Sequence, residues 1–269
     1  MSQHKTYVGF DKRLVMLGCG SIGQGVLPLL LRHLGLEPEQ ITVIAADDFG
    51  VPVAREYGIE HITRPLTREN CHAELQPRLG AGDFLLNLSV DVSSVALIEL
   101  AREAGALYLD TCIEPWVGGY TDTSLSPSLR SNYALRESAL KLKSGNGPTA
   151  VLTHGANPGL VSHFVKQALL DIARDCRHKT AMPSSREDWA KLMQALGVKV
   201  IHVAERDTQV SNKPKKVGEF VNTWSIDGFV SEGCQPAEMG WGTHEKLLPY
   251  DGAHHDFGCG AAIYLNRPG

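Results

Sequence analysis

Three glycines are spaced for one particular job. Gly18-Cys19-Gly20-Ser21-Ile22-Gly23 follows the apolar run Arg13-Leu14-Val15-Met16-Leu17 and opens a segment with apolar residues at helical spacing, Ile22, Val26, Leu29, Leu30 and Leu34. A strand, a glycine turn and a helix in that order form a phosphate cradle. The first glycine makes the tight turn, the second lets the backbone approach a pyrophosphate, and the third packs helix against strand. The helix N-terminus adds free N–H groups, here from Ser21, Ile22 and Gly23, and a positive dipole end. Asp47 lies ~24 residues past Gly23, where an acid grips the ribose 2′-hydroxyl of a dinucleotide. Asp48 is an alternative for the same part. A carboxylate there repels a 2′-phosphate, so NAD is expected over NADP. The plainer alternative is a glycine-rich turn followed by two surface acids.

The elements around this loop alternate. Strands are expected at 13–17, 41–46, 84–89, 106–110 and 150–152. Helices are expected at 21–34, 53–57, 93–104, 160–175 and 186–196. Pro28 is expected to kink the first helix, and Gly35 to end it. Strands alternating with helices imply a parallel sheet with right-handed crossovers. The expected fold is α/β: a doubly wound Rossmann sheet in residues 1–150, then a second α+β domain in 151–269. A further strand is expected at 199–204. Beyond residue 213 the chain is rich in Gly, Pro, Trp and His, with a last strand expected from Ala262.

Composition narrows the function classes. The 269 residues include 43% hydrophobic and 21% charged, and the net charge is −4. That gives no basic excess for nucleic acid. There is no run of ~18 apolar residues for a membrane span. Met1–Arg13 lacks the apolar core of a secretory signal. The six cysteines show no C-x-x-C pair and the histidines no metal spacing. A cytoplasmic, metal-free protein with reduced thiols is expected.

Later motifs are more specific than the glycine loop. Asn87-Leu88-Ser89-Val90-Asp91, Tyr108-Leu109-Asp110-Thr111-Cys112-Ile113-Glu114-Pro115-Trp116 and Thr153-His154-Gly155-Ala156-Asn157-Pro158-Gly159 come in that order. Then follow His202 to Gln209, Asn222-Thr223-Trp224-Ser225 and Gln235 to Gly242. From about Arg13 to Gly269 the chain resembles the bacterial homospermidine synthase family, relatives of saccharopine dehydrogenase. The resemblance implies a reaction: a primary amine of putrescine is oxidised to an imine with NAD as hydride acceptor, and a second putrescine attacks. Ammonia then leaves, and the new imine is reduced to homospermidine with no net redox change. Spermidine is a second candidate substrate, and a homodimer is compatible with the family. The resemblance also implies that such chains continue for roughly as many residues again past Gly269, so this one reads as C-terminally truncated. The missing part would carry a section of the active-site wall, including a histidine.

The resemblance assigns roles, each with a plainer alternative. Asn87, Ser89, Asp110, Thr111, Asn157 and Pro158 join the cofactor set. Asp91, Glu114, Glu205 and Glu232 bind the ammonium groups of a diamine, a dication at neutral pH. Glu114 follows a strand at its C-terminal end, where ligands of open α/β sheets bind; otherwise it is a surface acid before Pro115. Asp91 is otherwise a helix-capping acid, Glu205 a salt-bridge partner of Arg206, and Asn157 a turn residue. With Glu114, Asn157 and Glu205, Trp224 completes the catalytic set. An indole face can stabilise a cationic imine by about 2 kcal/mol when desolvated, and the polar Asn222, Thr223 and Ser225 around it suit a rim. Otherwise it is core. Cys112 is expected to be a small buried residue. Two rival functions remain: a net NAD(P)-dependent dehydrogenase of the saccharopine or carboxyspermidine type, and a nucleotide-binding module without turnover.

Overall fold

The computed structural model describes residues 4–143 and 145–269. Its first half is a six-stranded parallel sheet in the order β3-β2-β1-β4-β5-β6. The elements run β1 (Leu14–Leu17), α1 (Ser21–His33), β2 (Ile41–Ala45), α2 (Val51–Glu56), β3 (Glu60–Thr63), α3 (Cys71–Leu75), β4 (Phe84–Asn87), α4 (Ser94–Ala104), β5 (Leu107–Asp110), α5 (Asn132–Lys141) and β6 (Ala150–Val151). The strand order reverses between β1 and β4, and ligands of such sheets sit in the crevice at that switch.

β1 explains why both faces are covered. Successive side chains of a strand point to opposite faces, and all four residues of β1 are buried. Leu14 and Met16 pack with Leu27 of α1 and Ala54 of α2. Val15 and Leu17 pack with Leu75 of α3 and Leu97 of α4. Each such side chain contributes roughly 2 kcal/mol by leaving water. At the lower end of the sheet Asp83 accepts from the Arg13 guanidinium at 2.7 and 3.0 Å and from the Gly80 amide at 2.8 Å. That clamp ties the start of β1 to the start of β4.

The second half holds α6 (Leu160–Asp175), α7 (Arg186–Ala195), α8 (Ile226–Cys234) and a three-stranded antiparallel sheet of β7 (Pro236–Gly240), β8 (Gly252–His254) and β9 (Ala262–Pro268). α6 and α7 share a small apolar cluster of Leu169, Ala173 and Leu192. The Glu238 carboxylate of β7 accepts from the Asn132 and Tyr133 amides at 2.7 and 3.0 Å, capping α5 from outside. The last sheet is thereby fixed to the Rossmann half.

Several elements depart from expectation. The strand expected at 199–204 does not form: residues 199–211 are exposed coil. Its apolar Val200, Ile201 and Val203 have no partner strand among the described residues, and an unpaired strand leaves its backbone groups to water. α1 runs through Pro28 as one helix. Gly35 follows it at φ +57 as expected. β3, α3, α5, α8, β7 and β8 were not foreseen. Among the described residues no helix is long and apolar enough to cross a membrane.

Candidate active site

A cavity of about 770 Å³ opens at the C-terminal ends of β1, β2 and β4. Gly18, Gly20, Ser21, Ile22 and Gly23 line one side, with Asp47 and Ser89 beyond them. The three glycines differ physically. Gly18 has φ +84, and a Cβ on it would stand 2.7 Å from the Leu88 carbonyl oxygen. A Cβ on Gly23 would stand 2.6 Å from the Gly18 carbonyl oxygen. Both glycines are required by the apo backbone. Gly20 meets nothing within 4 Å, so its missing side chain leaves open space in the cavity. Nothing in the unliganded chain needs a glycine there, but a closely approaching pyrophosphate does. α1 has no side-chain cap and no acid in its first turn. Its first N–H groups lack intrahelical partners, so the cavity wall presents donors and a positive dipole end.

Asp47 is exposed past β2, its Oδ1 accepting from the Phe49 amide at 3.0 Å. Phe49, Arg64, Arg68 and Asp227 also line the cavity. The sequence reading missed these four. A signal existed for Phe49, which is apolar and directly follows the two acids, and for Asp227, two residues past a capping serine.

Asn87, Asp110, Thr111, Asn157 and Pro158 stand outside the lining. Asn87 and Asp110 are buried behind it as one polar network. Ser89 Oγ donates to Asn87 Oδ1 at 2.6 Å, and Asn87 Nδ2 to the Tyr108 hydroxyl at 3.3 Å. Tyr108 donates in turn to Asp110 Oδ2 at 2.8 Å. Asp110 Oδ1 accepts from the Thr153 amide at 2.5 Å, and its carbonyl accepts from the His154 amide at 2.9 Å. Burial raises the Asp110 carboxyl above the usual range, and the Thr153, Tyr108 and Ser94 donors oppose the rise. The network pins the 153–159 loop to the end of β5. Gly155 packs against Thr111, and the loop holds a cis Asn157–Pro158 bond with Asn157 exposed.

Beyond Asp91 and Trp116, which do line the cavity, lies an acidic cluster. Glu114 is buried at 6% exposure. Its amide donates to Ser94 Oγ at 3.0 Å and its carbonyl accepts from the Ser94 amide at 2.9 Å, so the start of α4 fixes its backbone. Burial pushes its carboxyl from 4.5 up to about 7; the charges of Asp91 and Glu232 push the same way, against the Asp91 amide and the Cys112 thiol. Asp91, at φ +62, is raised by burial and then by Asp227 across the cleft. Glu232 of α8 is exposed as a residue, yet partial burial raises its carboxyl. The Cys112 thiol is pushed up by burial and by the Glu114 charge, far from a reactive thiolate. The structure thus brings Asp91, Glu114 and Glu232 together.

It does not bring Glu205 or Trp224 to the cavity lining. Glu205 lies in the exposed coil that replaces the expected strand. Trp224 is 37% exposed and packs edge-on against Phe229, its ring centroid 6.0 Å away. Among the described residues no group of three or more His, Cys, Asp or Glu is placed to hold a metal.

Two family models match the chain, one after the other. Residues 14–151 match the family described as saccharopine dehydrogenase NADP binding domain, and residues 155–269 match the saccharopine dehydrogenase C-terminal domain. The homospermidine synthase of Blastochloris viridis is 50% identical over 274 aligned positions, covering 100% of this chain and 57% of that protein. That of Mesorhizobium japonicum is 49% identical, covering 95% of this chain and 54% of that protein. The crystal structure of the Legionella pneumophila homospermidine synthase in complex with NAD is 45% identical with a TM-score of 0.84, covering 98% of this chain and 55% of that one. The chain therefore spans about half the length of these relatives. With its dinucleotide-binding unit and the domain after it both matched, the chain belongs to the saccharopine dehydrogenase family.

Proposed function

We propose that the chain binds NAD and serves homospermidine synthesis, in which an aminobutyl group passes from one putrescine to another and ammonia is released. The observation that carries this reading is Glu114, a buried carboxyl pushed up to about 7 by burial and by the charges of Asp91, which lines the cavity, and Glu232. The open space over Gly20 fits a pyrophosphate, and the α1 N-terminus fits its charge. When bound, NAD supplies a hydride acceptor that becomes a hydride donor. The chain's own residues do the remaining work. Ser21, Ile22 and Gly23 hold the phosphates, and Asp47 holds a ribose hydroxyl. Asp91 and Glu232 hold ammonium groups. An ammonium must lose a proton before its carbon can lose hydride, and a carboxylate with a pKa of about 7 is matched to take it. Residues 1–150 hold the dinucleotide and also supply Asp91 and Glu114, and residues 151–269 complete the substrate side, with Asn157, Glu205 and Trp224 acting from there.

The test supplies the 269-residue chain with putrescine and catalytic NAD. Homospermidine and ammonia should rise together in equal amounts while NADH stays low. NADH accumulating in proportion to product would indicate a net dehydrogenase. A second reading, nucleotide binding without turnover, is favoured by the exposure of Glu205 and Asn157 away from the cavity. NAD binding with no product supports it.

A further inference from the structure

Two arginines line the cavity on the side of Asp47. β2 and β3 pair in parallel with Ala45 opposite Thr63, and the Arg64 amide donates to the Ala45 carbonyl at 2.7 Å. Arg64 therefore leaves β3 beside the point where Asp47 leaves β2. An arginine at this edge is what a Rossmann domain uses to accept a ribose 2′-phosphate, as an acid is what it uses to grip a 2′-hydroxyl. This chain has both residues. By position alone, the second should undo the selectivity of the first.

The guanidinium of Arg64 is already engaged. Its Nε lies 3.2 Å from Glu74 Oε1 on α3. The Glu74 side chain is 23% exposed, and its other oxygen lies 3.6 Å from Arg78 Nη1. Arg78 also donates to the Glu74 main-chain carbonyl. Glu74 is thus held by Arg78 from the turn after α3 and fixed against Arg64, and it lies outside the cavity lining. A partly exposed ion pair adds little to stability, so the fold does not need this one. Its consequence is electrostatic: the guanidinium that leaves β3 beside Asp47 is paired with a carboxylate before any ligand arrives.

We propose that Glu74 is a cofactor-specificity residue, which by neutralising Arg64 leaves a 2′-phosphate facing the uncompensated charge of Asp47 and so excludes NADP. The inference rests on the dinucleotide reading above and deepens it: selectivity needs two carboxylates, one that repels the phosphate and one that disables its natural partner. Arg68 shares the cavity wall, and the experiment separates its effect from that of Arg64.

The experiment titrates NAD and NADP separately into the wild-type chain, Glu74→Gln, Arg64→Leu and the double variant by calorimetry, with urea unfolding of each. Glu74→Gln keeps the side-chain volume and frees Arg64. Its NADP affinity should rise about tenfold, the worth of one charge-assisted hydrogen bond, with NAD affinity nearly unchanged. The double variant should return to the wild-type NADP-to-NAD ratio. Arg64→Leu alone should leave that ratio where it was, because the arginine it removes was already neutralised. An unchanged ratio in a folded Glu74→Gln overturns the proposal, and so does a gain that survives in the double variant. A fall in the ratio in Arg64→Leu overturns it without relying on the Glu74 variant. If the wild-type chain binds neither nucleotide, the dinucleotide reading falls before any variants are compared, and the proposal falls with it.

Discussion

Replacing Glu114 by glutamine removes one buried charge and keeps the side-chain volume. Burial raises this carboxyl from 4.5 to about 7. At 1.36 kcal/mol per pH unit, the charged form is penalised by about 3 kcal/mol in the unliganded fold. At 6% exposure, solvent screens little of that penalty. The sign follows from linkage. An acid whose folded pKa lies above its unfolded pKa stabilises the fold fully below pH 4.5, and that contribution is lost as pH rises through 7. Glutamine mimics the protonated form at every pH. Glu114→Gln should therefore match the parent at pH 4.5 and exceed its stability at pH 8 by up to about 3 kcal/mol, or several degrees in Tm.

Diamine binding should run the opposite way. A bound ammonium favours the charged carboxylate, so binding below pH 7 expels a proton. Putrescine affinity should rise about tenfold per pH unit towards 7 and then flatten. In Glu114→Gln the break near pH 7 should vanish, and affinity at pH 8 should fall about 10- to 100-fold, the worth of a charged hydrogen bond. Urea unfolding without ligand at both pH values, and putrescine calorimetry across the range, measure the two effects. A variant no more stable than the parent at pH 8, or a break near pH 7 that persists without the carboxyl, would refute the reasoning. Stabilisation by removal of a ligand-binding charge is the expected mark of a site that stores unfavourable electrostatics for its substrate.

Gly20→Ala should leave the urea midpoint in place, because its Cβ meets nothing in the free chain, yet weaken NAD binding at least about tenfold by standing where the pyrophosphate approaches; calorimetry checks the pair. Gly18→Ala should instead cost about 2–4 kcal/mol of stability, since it combines φ +84 with a 2.7 Å approach to the Leu88 carbonyl. Tyr108→Phe leaves Asp110 and Asn87 short of a partner and should cost about 1–3 kcal/mol, read from urea unfolding. Trp224→Ala should lower the unfolding free energy by less than about 1 kcal/mol, because the ring is 37% exposed, and should still abolish homospermidine formation; full product formation would reduce Trp224 to surface packing.

What the sequence made legible was whatever local sterics decide. The roles of Gly18 and Gly23 follow from one strand, one turn and one helix, and the contacts agree with them. The strands buried on both faces, β1, β2 and β4, were visible as continuous apolar runs. β3 was not. It is the edge strand, its four residues Glu60-His61-Ile62-Thr63 are none of them buried, and its partner β2 supplies its register. Lys199 to Ala204 fails for the complementary reason. Its residues have strand character, but a strand is made by its neighbour, and none of the described residues pairs with it.

The site divides along the same line. Acids at strand ends were legible because strand ends were, and this gave Asp91 and Glu114. The burial that pushes the Glu114 carboxyl up to about 7 depends on its backbone bonds to Ser94 in the first turn of α4, and the Glu232 charge adds to the rise. No spacing encodes that. Asn87 and Asp110 show the converse. Polar residues at the right strand ends looked like cofactor contacts, but their hydrogen bonds are consumed by Tyr108, Ser89 and Thr153. The Asp110 bonds hold the 153–159 loop to the end of β5. Position in the fold gives a residue its opportunity; the donors and acceptors left over after folding decide whether it can take it.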